Sequence, residues 1–428
     1  MEKYIHMVGV GGIGMSALAQ LYTHQGVTVT GSDRGASPIT ELLAKKGVVV
    51  AIGHEAMQVP DTIDMLVYSD AVPANNPERL RAREHGVREL SYFEALGEAT
   101  SKGVSIVVSG THGKTTTTAM IAKVLVDLDK DPTVICGSVM SEFGSNFRAG
   151  RPDLFVIEGC EYRRHFLHLH PHILLINNIE LDHTDYYANL ADMQSAFRSA
   201  VEHMPETATI VTDTSSNSIR PILHGVVPKV VPYQDMSVPH LHVPGAFNVS
   251  NARATKATVY TLYPDLHEED INSSLASFKG TWRRFEYKGI TNSGAVVYDD
   301  YAHHPTAVRG TLKMVRKEFP NKKLVVVFHP HLYSRTHDFM EEFASALALA
   351  DEVLLAPIYA AREDPIEGVT SMVLAEKITA LGTPAHALDS LDAVVPYLTS
   401  ERCELTPDTL LLTMGAGDVY RVADTLVA

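Results

Sequence analysis

Two glycine-rich segments carry the residue types needed to hold phosphate groups. Gly110-Thr111-His112-Gly113-Lys114-Thr115-Thr116 follows an apolar run at residues 106–109 and opens a helix-period stretch at 115–127. Amides at a helix start cradle phosphate oxygens, a lysine reaches the β and γ groups, and a threonine hydroxyl can ligate Mg²⁺. The full consensus asks for glycine where this chain has Val108, so the loop is a relaxed form, and ATP is the expected energy source. Gly9-Val10-Gly11-Gly12-Ile13-Gly14 fits GxGxxG after an expected strand at 5–10, with Asp33 following 19 residues after Gly14. That spacing suits NAD first, whose ribose the acid would hold, and after it a nucleotide-sugar diphosphate or a tight turn with no ligand.

A phosphate loop needs a partner that holds metal from a neighbouring strand end. Glu158 ends an expected strand at 154–157, and Asp182-His183 follows one at 174–178. With Thr115 they would form an oxygen-rich Mg²⁺ site, or they merely cap neighbouring elements. His168, His170 and His172 would share one face if residues 165–172 were a strand; without an acidic or cysteine ligand beside them, a hydrogen-bonded histidine face is expected rather than zinc. His303-His304 and His329-Pro330-His331 follow expected strands, where ligand-binding loops of open α/β sheets belong.

These residues require parallel sheets covered by helices. Short apolar runs at 5–10, 27–30 and 65–68 read as strands of a first unit. Runs at 106–109, 154–157, 174–178 and 209–212 read as a second, and runs at 295–298, 324–328, 352–356 and 410–414 as a third. Boundaries are expected near 100–103 and 280–289. The chain has 428 residues with 51 acidic and 36 basic side chains, a formal charge of −15, which argues against nucleic acid or anionic membrane as partner. Three scattered cysteines without CxxC spacing suit a reducing cytosol. The apolar stretch at 7–21 holds four glycines in its first half, so the chain is read as soluble, unprocessed and cytoplasmic.

Taken in order, residues 9–16 (GVGGIGMS), 110–118 (GTHGKTTTT), 158–167 (EGCEYRRHFL), 178–187 (NIELDHTDYY), 244–251 (PGAFNVSN), 283–285 (RRF), 299–306 (DDYAHHPT) and 328–336 (FHPHLYSRT) resemble the Mur ligases. The resemblance implies an α/β protein of three domains. These are a Rossmann-like UDP-sugar-binding domain at 1–99, a central P-loop ATPase-type domain with a mostly parallel sheet at 100–285, and a Rossmann-like amino-acid-binding domain at 286–428. It implies that Gly11, Gly12, Ile13 and Gly14 face a UDP diphosphate, with Asp33 and Ser69 on the same substrate. ATP would meet Gly110 to Thr116 together with Asn248 and Asn251. Thr115, Glu158 and His183 would hold Mg²⁺, and Lys114, Arg284, Asp300 and His304 would join Glu158 and His183 in the catalytic set. His304, His331 and Arg335 would line the amino-acid side, Arg335 as a carboxylate clamp.

The implied reaction is ATP-dependent joining of an amino acid to the lactyl carboxylate of UDP-N-acetylmuramate through an acyl phosphate. The motif spellings are most similar to the branch that adds L-alanine. Arg335, the YSRT run and CEYRRHF support that branch, whereas Ala307, in place of the usual glutamate, also occurs in the branch that recycles whole tripeptides. Phe247 stands where the family often has histidine and is expected to stack on adenine, and Leu332 replaces an arginine. Arg198 stands about where sister ligases use a carbamylated lysine. An NAD-dependent oxidoreductase and a non-catalytic UDP-sugar sensor are the alternatives of other classes.

Overall fold

The computed structural model describes residues 4–361, 363–400, 403 and 405–427. Three sheets account for its strands. The first contains β1 (Tyr4–Val8), β2 (Thr28–Asp33), β3 (Val49–Ile52), β4 (Met65–Tyr68) and β5 (Arg88–Ser91), all parallel, in the order β3-β2-β1-β4-β5. The second contains β6 (Val104–Ser109), β7 (Pro132–Met140), β8 (Ser145–Arg148), β9 (Arg151–Glu158), β10 (Ile173–Ile176), β11 (Thr209–Thr212) and β12 (Lys229–Pro232). Its order is β12-β11-β10-β6-β9-β7-β8, and only the β7–β8 edge is antiparallel. The third contains β13 (Glu286–Ile290), β14 (Val296–Asp300), β15 (Lys323–Phe328), β16 (Glu352–Leu355), β17 (Ala385–Ala387) and β18 (Thr409–Met414), ordered β13-β14-β18-β15-β16-β17, with β13 antiparallel.

Strands buried on both faces need apolar residues at consecutive positions, because each face packs against helices. In β15, Leu324, Val326 and Phe328 join one buried layer with Val308 and Leu312 of the Pro305–Glu318 helix. Val325 and Val327 join the opposite layer with Leu411 and Val422. Among the helices that flank the first two sheets are α1 (Ile13–His24), α2 (Pro38–Lys45), α3 (Pro77–Glu84), α4 (Tyr92–Thr100) and α5 (Lys114–Asp127), and α2, α3 and α4 start on side-chain caps. Ser37 and Asn76 cap α2 and α3 ahead of a proline at the first helical position, and Ser91 with Glu94 forms a capping box on α4.

The chain forms two compact units: residues 1–179, 194–240 and 251–278 in the first, and 180–193, 241–250 and 279–428 in the second. The first unit therefore contains the first two sheets and the second unit the third. One expectation is corrected here. Residues 162–168 form a 3₁₀ segment with Arg163 and Arg164 at positive φ, and the strand begins only at Ile173, so His168, His170 and His172 do not share a strand face. The segment instead closes on β6: the Ser105 amide donates to His172 Nδ1 at 3.2 Å and the Ser105 hydroxyl donates to the His170 carbonyl at 2.7 Å.

Candidate functional site

In an open parallel sheet, loops after the carboxyl ends of adjacent strands converge where the chain switches direction. In the second sheet β6 lies between β10 and β9. The loop after β6 thus meets Glu158, at the end of β9, and Asn177-Asn178, just past β10. The Asn178 side-chain oxygen accepts from the His112 amide at 2.8 Å, while the amide nitrogens of Asn177 and Asn178 donate to the His112 carbonyl at 3.2 and 3.1 Å. β10 ends at Ile176, and beyond it the Asn177 amide donates to the Ser109 carbonyl and the Asn178 carbonyl accepts from the Thr111 amide, both at 3.0 Å. Gly113 adopts φ 83°, and a Cβ there would lie 2.5 Å from Asn251 Oδ1. Only glycine tolerates both demands.

Lys114 begins α5. Its Nζ donates to the Gly110 carbonyl at 2.6 Å, the Thr111 carbonyl at 3.2 Å and Glu161 Oε1 at 3.0 Å. Burial alone would lower its pKa, but the Glu161 carboxylate more than offsets this and raises it, so the ammonium is charged. At the next residue, Thr115 Oγ1 donates to Glu158 Oε1 at 2.9 Å, and the Gly137 amide donates to Glu158 Oε2 at 2.6 Å. A hydroxyl and a carboxylate this close form a hard-oxygen pair of the kind that suits Mg²⁺. Thr116 is buried beside them.

The first glycine loop lies at the switch point between β1 and β4. The Ser32 carbonyl accepts from the Gly9 and Val10 amides at 2.8 and 2.9 Å, and Asp33 Oδ2 accepts from the Gly11 amide at 2.8 Å. Asp33 is therefore engaged with the loop itself. Gly12, Ile13, Gly14 and Ser69 line a cavity of about 370 Å³ that also takes in Tyr92, Cys136, Glu158 and Cys160. One space thus runs from the first glycine loop to the carboxylate beside the phosphate loop. Burial pushes the Cys160 thiol up to about 12 and the Cys136 thiol well above its ordinary value, so neither is a nucleophile at neutral pH.

The second unit holds the remaining candidates. Asp300 ends β14, accepting from the Ala302 amide at 2.8 Å and the Thr311 hydroxyl at 3.0 Å; burial raises its pKa to about 6, although the Arg284 charge opposes this. Arg284 lies over the Tyr301 ring at 5.0 Å. His304 caps the Pro305–Glu318 helix, accepting from the Thr306 amide through Nδ1 at 3.3 Å, which leaves Nε2 as the donor to the Leu181 carbonyl at 3.1 Å. Arg335 is 3% exposed. Its Nε and Nη2 donate to Asp182 Oδ1 at 3.0 and 2.7 Å, and its Nη1 lies 3.2 Å from His331 Nδ1. Burial alone would raise Asp182, but Arg335 and the neighbouring histidines hold it well below the usual carboxylate range. His183 sits at φ 54°, its amide donating to Asp182 Oδ1 at 2.7 Å. The Asn248 side-chain Nδ2 donates to the Pro244 carbonyl at 2.7 Å.

The motif departures have local explanations. Phe247 packs against Gly310, where a Cβ would come 2.1 Å from its ring, so part of the ring expected on adenine faces a helix. Arg198 pairs with Glu202 and donates to the carbonyls of Ile222 and His224. Leu332 is buried at φ 70° and precedes a helix. Sequence reasoning missed Glu161 as partner of Lys114, Asn177 as a loop clamp, Asp182 as partner of Arg335, and Tyr92. Each gains its role from a contact distant in the chain; the charges of Glu161, three residues beyond Glu158, and of Asp182, beside His183, offered a signal.

A phosphate cradle at a helix start, with a charged lysine and an oxygen donor pair beneath it, defines an α/β enzyme that works on nucleotide phosphates. Family models match in series: "Mur ligase family, catalytic domain" at residues 4–103, "Mur ligase middle domain" at 108–234, and "Mur ligase, glutamate ligase domain" at 283–417. The UDP-N-acetylmuramate–L-alanine ligase of Agathobacter rectalis is 37% identical over 99% of this chain and 97% of its own length. The enzyme of the same name from Desulfitobacterium hafniense is 38% identical over the full length of both. The crystal structure of the UDP-N-acetylmuramate-alanine ligase of Thermotoga maritima superposes with a TM-score of 0.81 at 30% identity, covering 99% of this chain and 98% of that one. A murein peptide ligase of Psychrobacter arcticus, 24% identical, shares the fold along the whole of both chains with a TM-score of 0.71. The chain belongs to the Mur ligase family, and it is an ATP-dependent ligase. No described helix is long and apolar enough to cross a membrane.

Proposed function

We propose that this enzyme joins L-alanine to the lactyl carboxylate of UDP-N-acetylmuramate, converting ATP to ADP and phosphate, as a cytoplasmic step in making peptidoglycan precursor. The observation that carries this reading is the cavity that runs from the first glycine loop to Glu158 beside Thr115. Gly11 to Gly14, with Ser69, hold the UDP-sugar, and the phosphate loop with Asn248 and Asn251 holds ATP.

The substrate carboxylate attacks the γ-phosphorus and the bond to the bridging oxygen of ADP breaks, leaving an acyl phosphate. Lys114 neutralises charge on the transferring group, where fixed charge is worth most. Thr115 and Glu158 fit Mg²⁺ by their oxygen donors, with His183 as a further ligand; the ion when bound would draw charge from the phosphate oxygens. The neutral amine of alanine then attacks the acyl carbon, a tetrahedral centre forms, and phosphate leaves with the carbon–oxygen electron pair. Arg335 clamps the carboxylate of the incoming amino acid, with His331 and His304 beside it and Arg284 and Asp300 in support.

Phosphate release with ATP, Mg²⁺ and UDP-N-acetylmuramate tests the reading when L-alanine, glycine, L-serine and the L-Ala-D-Glu-diamino acid tripeptide are compared as acceptors. Release with L-alanine is expected. Release only with the tripeptide would move the enzyme to recycling, and silence with all four would leave a binding protein.

A further inference from the structure

The polar groups of the cavity include one that the reaction as drawn does not use. Tyr92 opens α4 because Ser91 builds a capping box there: the Ser91 amide donates to Glu94 Oε2 at 2.8 Å, and its hydroxyl accepts from the Glu94 amide. The first residue of the helix is thereby aimed across the glycine loop. Its ring lies directly on Gly14, where a Cβ would come 2.8 Å from Tyr92 Cζ, so glycine at 14 and tyrosine at 92 form a matched pair. Phe93 packs edge-on against the ring at 4.6 Å and is itself stacked on His165 at 5.1 Å, which restrains the Tyr92 side chain.

The phenol end reaches the part of the cavity held by Glu158, Cys160 and Cys136, the groups whose charge acts on it. Burial first, and then Glu158, raise its pKa, so the hydroxyl remains a donor. Glu158 offers it little: Oε1 accepts from Thr115, and Oε2 from the Gly137 amide with the Cys136 thiol at 3.6 Å. Among the described residues the Tyr92 hydroxyl makes no hydrogen bond. The hydroxyl faces the cavity, so a ligand that fills this space displaces solvent from the phenol and can supply the acceptor in its place.

We infer that Tyr92 donates its phenolic O–H to the carboxylate of the sugar-nucleotide substrate and so selects the sugar acid over its neutral counterpart. The inference rests on the function proposed above. A neutral donor suits this position, because the carboxylate must stay a nucleophile. A phenol orients it through one hydrogen bond, while a guanidinium would hold its charge more strongly.

Calorimetric titration of wild-type enzyme and Tyr92→Phe with UDP, UDP-N-acetylglucosamine and UDP-N-acetylmuramate tests this, since the second ligand lacks the lactyl carboxylate. Phenylalanine keeps the ring on Gly14, and matched melting curves confirm folding. The expected result is a roughly 10- to 100-fold loss of affinity for UDP-N-acetylmuramate alone, the size of a hydrogen bond to a charged group. The kcat/KM for that substrate should fall in step while the KM for ATP stays constant. An equal loss for all three ligands would make Tyr92 a prop for the loop, and no loss for any would remove it from the substrate; either overturns the inference. Wild-type enzyme that discriminates between the two sugars through Tyr92 yet releases no phosphate with L-alanine would overturn the proposed reaction and leave the Tyr92 contact standing.

Discussion

The two glycine loops share one backbone design and differ in what supports it. Each follows the central strand of a parallel sheet and opens a helix, so each presents amides at a helix start. Behind the first stands a buried neutral-to-acidic network. The Ser32 carbonyl holds the Gly9 and Val10 amides, and the Ser32 hydroxyl donates to Glu78 Oε1 at 2.7 Å. Glu78 is also bound by His6 at 2.6 Å and His54 at 2.8 Å. Beneath the second stand the groups proposed to hold the phosphates and the metal: Lys114, paired with Glu161, and Thr115, bonded to Glu158. On the proposed function the same turn serves as an anion seat in one sheet and as a phosphoryl-transfer centre in the other, and neighbouring strand ends make the difference.

Lys114→Ala should have the largest effect. Turnover should fall roughly 10³-fold or more, since a preorganised charge at the transferred group is lost. UDP-sugar affinity should stay within about twofold, as titration would measure; loss of both would erase the division of labour between the loops. Glu158→Ala comes next, and should raise the Mg²⁺ concentration for half-maximal rate by about 10- to 100-fold if the oxygen pair binds metal. An unchanged magnesium profile would remove that role.

Asp33→Ala removes a support of the loop rather than a contact to the ligand, and should raise the KM for the UDP-sugar by about 5- to 10-fold, within the ordinary net value of one intramolecular hydrogen bond, with the KM for ATP unaltered. A shift in the ATP constant instead would show that the loops are coupled. Glu78→Gln should affect catalysis least and stability most. Burial alone would raise the Glu78 pKa, but hydrogen bonds from His6, Ser32 and His54 bring it below the ordinary 4.5. The carboxylate therefore contributes stability above the unfolded-state value, and that contribution is lost as pH falls through the folded-state value. The variant should lose about 1–3 kcal/mol at pH 7 and show a flatter decline in melting temperature on acidification below pH 4.5. An unchanged acid limb would take Glu78 out of the pH dependence.

Much of the frame was legible because it is written locally. Buried parallel strands are short apolar runs, and both glycine loops carry their φ requirements in their own residues, as at Gly9 and Gly113. What misled was local too: the alternating histidines at 168, 170 and 172 have strand periodicity, but Arg163 and Arg164 turn the chain and the backbone after them follows β6 through Ser105. The extended reading of 174–178 overran the strand, which ends at Ile176; beyond it the Asn177 amide still donates to the Ser109 carbonyl and the Asn178 carbonyl accepts from the Thr111 amide, both at 3.0 Å, while the two side chains hold the His112 backbone.

By itself the sequence determined the α/β class, the position of the phosphate loop and the identity of the groups able to carry charge or metal, since these depend on residue type and short spacing. Tertiary structure decided which charges meet. It set Glu161 on Lys114, Asp182 on Arg335 and Tyr92 on Gly14. Their separations of 47, 153 and 78 residues are closed by strand order rather than by any local preference.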